Sequence, residues 1–366
     1  MIYTLSWFTL LFSRLFKKYE RLISFVAVIV LIYLAATVSV DHSFDTGAYL
    51  SQYGQPPSAH IFESGYMQLS YLAYSRGLSY SNFRVLLYLL SFSLMYIGVI
   101  RITKRPEIFF LIYMIVPFVD DAVQTRNFIM FSIVVFAMSL IPTDMKRSLV
   151  RWIVIGTLIF VSTKFQSTGY VYFFPILLFL VMKESSVSAT KKIVWLFGAI
   201  SVFLVLLKKI SLVSSLVLKL QIFTDRSNMD TAMTIYSKGG YSRYSLAIIV
   251  AYFLAFMLIT RIIKIKYDGL LSSDVIKIMY CLFLTGILAV PFLFVSSSFS
   301  RVIRNAYWAV PIMFSIYAAE TDFHKLDVLI CALLPLSMLL LMYGDGYFTQ
   351  QAGFFGDYIP YILHFK

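Results

Sequence analysis

Charge is scarce in this sequence. Only 13% of its 366 residues are Asp, Glu, Lys or Arg, and 60% are hydrophobic; ordinary soluble domains carry about 25% charged residues. So few polar side chains cannot cover a water-facing surface, which excludes a soluble globular domain. Cysteine is nearly absent. Cys281 and Cys331 both sit in apolar runs, so neither a disulfide framework nor a thiolate metal site is expected. The four histidines, His42, His60, His324 and His364, lack metal-ligand spacing, and no metal or other cofactor is expected. No Walker A or Rossmann glycine pattern appears, which removes ATP-driven pumps and nucleotide-sugar enzymes built on a Rossmann domain. Short segments of strict alternation, the mark of a transmembrane barrel, are missing too.

What is present is a succession of apolar runs long enough to cross a bilayer. Backbone in lipid must satisfy its own hydrogen bonds, so these runs are expected to be helices. The spans read as 22–40, 83–100, 107–119, 127–141, 150–163, 169–182, 193–209, 244–262, 276–296, 304–319 and 326–343. The expectation is one all-α, polytopic integral membrane bundle of about eleven transmembrane helices over residues 1–366, with interfacial or re-entrant helices besides. The formal charge of +13 fits basic residues gathered in cytoplasmic loops; nucleic acid is not an expected partner, whereas the lipid bilayer is. Arg14, Lys17, Lys18 and Arg21 close a cytoplasmic interfacial segment over 1–21. The stretch 65–82 is short and broken by Arg76 and Gly77. Read as a membrane-surface helix within an external loop 41–82, it puts Arg101, Lys104 and Arg105 inside, where the positive-inside rule wants them. A large external loop then covers 210–243 and an external tail 344–366.

Several external side chains carry possible chemistry. Arg301 and Arg304 are three residues apart and share a helix face. Their planar forks suit a phosphate, or else they snorkel to lipid headgroups. Gln124-Thr125-Arg126 opens a span, where a helix N-terminus favours an anion; the alternative is an Arg126 paired with Asp120 or Asp121 at the rim. Lys164, Gln166, Ser167 and Thr168 lie at another outer span end. Asp41, Asp45, Glu63, Asp120 and Asp121 are external acids. Such acids either take a proton from an acceptor hydroxyl or are simply solvated.

At these positions the sequence resembles the EpsG family of bacterial membrane proteins, which are Wzy-type polysaccharide polymerases. The resemblance runs through Asp45-Thr-Gly-Ala-Tyr49, Glu63-Ser-Gly65-Tyr66, Gly77-Leu78-Ser79, Gln124-Thr-Arg126 and Arg301-Val-Ile-Arg304-Asn-Ala-Tyr307, about residues 41 to 320. One departure stands out. Where the family often has a histidine, this chain has Gln166, which can hydrogen-bond but cannot shuttle a proton near neutral pH.

The resemblance implies a GT-C-like bundle in the bacterial cytoplasmic membrane, N-terminus cytoplasmic, that joins undecaprenyl-diphosphate-linked oligosaccharides into exopolysaccharide, capsule or O-antigen. Under that reading Arg126, Arg301, Arg304 and Lys164 meet the diphosphate, and Glu63 or Asp45 is the base. Gln124, Gln166, Tyr66, Asp120 and Asp121 touch sugar. A flippase and a chain-length regulator are the expected companions. Two rivals remain at this point: a transporter of the lipid-linked oligosaccharide, and a ligase that moves finished glycan to another acceptor.

Overall fold

The computed structural model describes residues 2–16, 19–39, 44–141, 149–182, 187–207, 243–269, 271, 273–294, 299–322 and 325–344. Among them every regular element is helical and no strand forms. They fall into two compact units, one drawn from Met1–Tyr170 and the other from Val171–Thr224 and Asn228–Tyr347. The expected loop 210–243 and tail 344–366 lie, apart from their end residues Arg243 and Gly344, outside the described residues, as do Asp41, Lys17 and Lys18.

The first unit runs α1 Ile2–Phe16, α2 Glu20–Ala36, α3 Phe44–Ser51, a short 3-10 turn, α4 Ser64–Ser75, α5 Tyr80–Ile102, α6 Pro106–Ile115, α7 Phe118–Val123, α8 Thr125–Ser139 and α9 Leu149–Thr163. A 3-10 helix, Ser167–Tyr172, follows. Helix α8 forms the centre and packs against α5 and α9. All its residues are buried except Phe136. The crossing with α5 is close because Gly98 has no side chain; a Cβ there would lie 3.2 Å from Val135 and 3.3 Å from the Phe136 backbone. On its other side α5 exposes Val85, Leu86, Leu89 and Leu90. A water-facing surface would not tolerate such a stripe; acyl chains would cover it at no cost.

The turn that joins α4 to α5 explains why the apolar pattern stops at residue 77. Gly77 adopts φ +75°, a region open to glycine at little cost. Its N–H bonds the Tyr74 carbonyl at 2.9 Å and that of Leu78 bonds Ala73 at 3.0 Å, which satisfies the last carbonyls of α4 in a Schellman motif. Ser79 then starts α5, its side chain accepting from the Asn82 N–H. Helix α4 has 12 residues and is thus about 18 Å long, short of the roughly 30 Å hydrocarbon core.

The second unit contains α10 Phe173–Val181, α11 Val187–Leu207, α12 Arg243–Tyr267, α13 Asp274–Ala289, a 3-10 helix Val290–Phe294, α14 Phe299–Tyr307, α15 Ala309–Ala319 and α16 Val328–Gly344. Helix α13 is its buried centre, against α10, α14 and α15, while α12 lies along α16. Arg261 of α12 donates to Asp327 at 2.8 Å, and Asp327 accepts from the Ile330 N–H at the start of α16.

Among the described residues three helices are long and apolar enough to cross a membrane: Tyr80–Ile102, Ser245–Tyr267 and Asp274–Leu293. Shorter apolar helices, of 10–17 residues, include Pro106–Ile115, Thr125–Ser139, Leu149–Thr163 and Val328–Gly344. Two expected spans are interrupted. The run 107–119 divides at Val116 and Pro117 into α6 and α7, and 304–319 divides at Trp308 into α14 and α15. Hydropathy sees a continuous apolar run at such places and misses the backbone break.

Candidate functional site

The first unit brings buried Glu63 and Arg126 together where α8 begins. Arg126 is the second residue of α8, and its guanidinium donates to a carboxylate oxygen of Glu63, the residue just before α4. Both residues are about 95% buried. The other oxygen of Glu63 accepts the Ser167 N–H at 3.1 Å, an N–H freed because Ser167 opens the 3-10 helix. One carboxylate thus bridges the Arg126 side chain and a backbone N–H of the 3-10 helix.

Glycine makes this approach possible. The Gly65 and Tyr66 N–H groups donate to the Lys164 carbonyl at 2.8 and 3.3 Å. A Cβ on Gly65 would sit 2.7 Å from that oxygen, so any larger residue would push α4 off the end of α9. Lys164 therefore builds the site through its carbonyl. Its ammonium lies 5.0 Å from the Phe160 ring centroid. Gln166 is buried, and its carbonyl accepts the Gly169 N–H at 2.9 Å.

Aromatic rings wall the pair. The Arg126 guanidinium is 4.2 Å from the Phe62 ring centroid and 5.4 Å from that of Tyr49. Tyr66 packs on Tyr49 and Phe62 at 5.6 and 5.7 Å and on Phe83 at 5.9 Å. Burial pushes the Tyr66 phenol well above its ordinary value, and the nearby Tyr80 and Tyr49 add to the rise. The Tyr66 phenol therefore stays protonated. Asp45 lies in the first turn of α3, one turn before Tyr49.

Asp120 and Asp121 lie on α7. Asp121 accepts the Tyr113 hydroxyl at 3.1 Å. The Asp120 carbonyl takes the Gln124 N–H at 2.7 Å, and the Gln124 carbonyl takes that of Phe128 at 3.0 Å; Gln124 is the hinge between α7 and α8. The structure gives Arg126 a carboxylate partner that the sequence reading did not name, Glu63. Arg301 and Arg304 lie on α14 in the second unit, Arg301 half-buried and Arg304 buried.

One buried arginine escaped the sequence reading. Arg84, near the start of α5, donates to the Val38 carbonyl at 2.8 Å and to the Ala35 carbonyl at 2.7 Å. It neutralises the negative end of α2 and lies 5.8 Å from the Tyr80 ring centroid and 5.9 Å from that of Tyr88. The signal was its position, since a charge just inside an apolar run needs a named partner.

Apolar outer faces around an interior that holds a charged, aromatic-walled site define a multi-pass membrane protein. Within that class the chain belongs to the EpsG family, whose match extends over residues 7–363, and that family includes Wzy-type polysaccharide polymerases. No curated protein and no solved structure matches the chain.

Proposed function

We propose that this protein is a membrane glycosyltransferase that polymerises undecaprenyl-diphosphate-linked oligosaccharide repeat units at the outer face of the bacterial cytoplasmic membrane, with its N-terminus in the cytoplasm. The observation that carries the reading, beside membership of the family, is the buried Arg126–Glu63 pair under Tyr49, Phe62 and Tyr66. The guanidinium that holds the Glu63 carboxylate has the planar fork that suits a phosphate.

In this reading the hydroxyl of an incoming repeat unit attacks the anomeric carbon of the growing chain. The bond from that carbon to the diphosphate breaks, and the polyprenyl diphosphate leaves with the electron pair. Arg126 stabilises the charge growing on the leaving group; Lys164, Arg301 and Arg304 are the further residues assigned to binding diphosphate. Glu63 takes the hydroxyl proton. Because Glu63 begins in an ion pair with Arg126, donor binding has a second effect: the diphosphate takes over the guanidinium and releases the carboxylate to act as base. Asp45 is the second choice for that role. Gln124, Gln166, Tyr66, Asp120 and Asp121 hold sugar, the aromatic ring by stacking and the others by hydrogen bonds. A flippase delivers the repeat units and a chain-length regulator sets where growth stops.

The test is purified protein with lipid-linked repeat units, products resolved on a gel. A ladder without added nucleotide, lost in Arg126→Ala, is the expected result. A folded preparation that binds the lipid-linked unit and makes no ladder overturns the polymerase reading.

A further inference from the structure

We propose that an apolar groove in the second unit holds the isoprenoid tail of a lipid-linked substrate. This rests on the polymerase reading and adds a site to it. The groove has a volume of about 640 Å³. Its walls include Trp195, Gly198 and Phe203 of α11, Val250 and Phe253 of α12, and Val290 at the start of the 3-10 helix. At about 30 Å³ per water-sized group, the space takes roughly twenty heavy atoms, or about four isoprene units.

An apolar groove in lipid gains little from the hydrophobic effect, since acyl chains already solvate it. Selection of one tail must come from a headgroup held nearby, which raises the local concentration of that tail. The groove wall is joined to a helix that carries two arginines, Arg301 and Arg304. The hydroxyl of Tyr252, whose ring lines the groove, donates to the carbonyl of Ile303 on α14. Ile303 precedes Arg304, and the Tyr252 ring is 6.0 Å from that of Tyr307 on the same helix. Helix α14 also packs on the 3-10 helix that begins at Val290. Two arginines on that helix complement a diphosphate better than the single charge of a phosphodiester lipid. The occupant that fits both features is a polyprenyl diphosphate, its tail in the groove and its headgroup at α14.

Gly198 provides a clean perturbation. A Cβ built there meets no atom within 4 Å, and the same is true of Gly156 on α9. A side chain at Gly198 therefore starts without a clash, so Gly198→Phe should project into the groove that Gly198 lines, and replacing a mid-helix glycine favours the helix. Full-length protein in detergent is tested for retention of undecaprenyl diphosphate and of geranyl diphosphate by native mass spectrometry, with phosphatidylglycerol as competitor. Gly198→Phe should weaken undecaprenyl diphosphate on the order of tenfold and weaken geranyl diphosphate less, since its two isoprene units fill only about half of the groove. Gly156→Phe should change neither, and Arg301→Gln should weaken both.

Equal retention of undecaprenyl diphosphate by Gly198→Phe and wild type overturns the groove and leaves the polymerase reading standing. Free displacement by phosphatidylglycerol gives the groove to ordinary lipid, and a wild-type dimer split by Gly198→Phe gives it to a second copy; either overturns the proposal. No retention by wild type overturns groove and polymerase together. Retention lost in Gly198→Phe, with no ladder from wild type on repeat units, keeps the groove and removes the polymerase.

Discussion

Arg126→Met removes half of an ion pair whose two side chains are each only 6% exposed. The remaining Glu63 carboxylate would keep one donor, the Ser167 N–H, in a place water hardly reaches. Leaving a buried charge without its partner costs about 3–5 kcal/mol. The expected value is toward the upper end, because the Phe62 face 4.2 Å from the guanidinium adds a desolvated cation–π contact worth about 2 kcal/mol. At about 1.3 °C per kcal/mol for a chain of 366 residues, Tm should fall by roughly 5–7 °C. Glu63→Met should cost a similar amount for the opposite reason, an arginine without a carboxylate. The double variant Arg126→Met with Glu63→Met leaves no charge behind, and replacing a buried pair by apolar groups of similar volume is near neutral. It should lie within about 2 kcal/mol of wild type, well above the sum of the single losses. The assay is thermal unfolding of the four proteins in one detergent. If the double variant falls by the sum of the singles to within about 0.5 kcal/mol, the two side chains are not coupled and the site as described is wrong. All three variants should make no polymer. A double variant that still polymerises would remove both residues from the chemistry while leaving the packing account intact.

Gly65→Ala places a carbon 2.7 Å from the Lys164 carbonyl oxygen. It should cost about 1–3 kcal/mol of overpacking and lower polymerisation by shifting Glu63; unchanged Tm and product length would contradict the close approach. Arg84→Met abandons the carbonyls of Ala35 and Val38, two charge-assisted bonds of about 1.5–3 kcal/mol each. Arg84→Lys should recover only part of the lost Tm, since an ammonium lacks the fork, and full recovery would count against the two-carbonyl geometry. Gly98→Leu drives into Val135 and the Phe136 backbone and should lower stability by about 1–3 kcal/mol. Gly156→Leu, facing open space, should be silent, and equal melting of these two leucine variants would refute the crossing described for α5 and α8.

The helical bundle was legible because its cause is local: too little charge and long apolar runs force helices wherever lipid is the solvent. The polar segment opening at Gln124 and the acid at Glu63 were also visible as types of residue. Their union was not. Glu63 and Arg126 are 63 positions apart, and they meet because Gly65 lets α4 reach the Lys164 carbonyl, a contact without local periodicity. The nearer candidates, Asp120 and Asp121, were favoured by sequence distance alone, yet Asp121 is taken by Tyr113. Among the many aromatic residues nothing in the pattern distinguished Tyr49 and Phe62 from ordinary packing. The interrupted spans were hidden for a related reason: Pro117 and Trp308 are as apolar as their neighbours, and a hydropathy window averages over the turn they mark.

The burial of α8 on every side has a genetic consequence. A saturation screen of α5 should show tolerance rising and falling with the helical repeat, because one side of that helix meets only lipid. Across Thr125–Ser139 the same screen should show no rhythm at all, only a block of intolerance broken at Phe136. Change there would be felt at Arg126 however far along the helix it falls, so this segment should drift most slowly between lineages even where its residues touch no substrate.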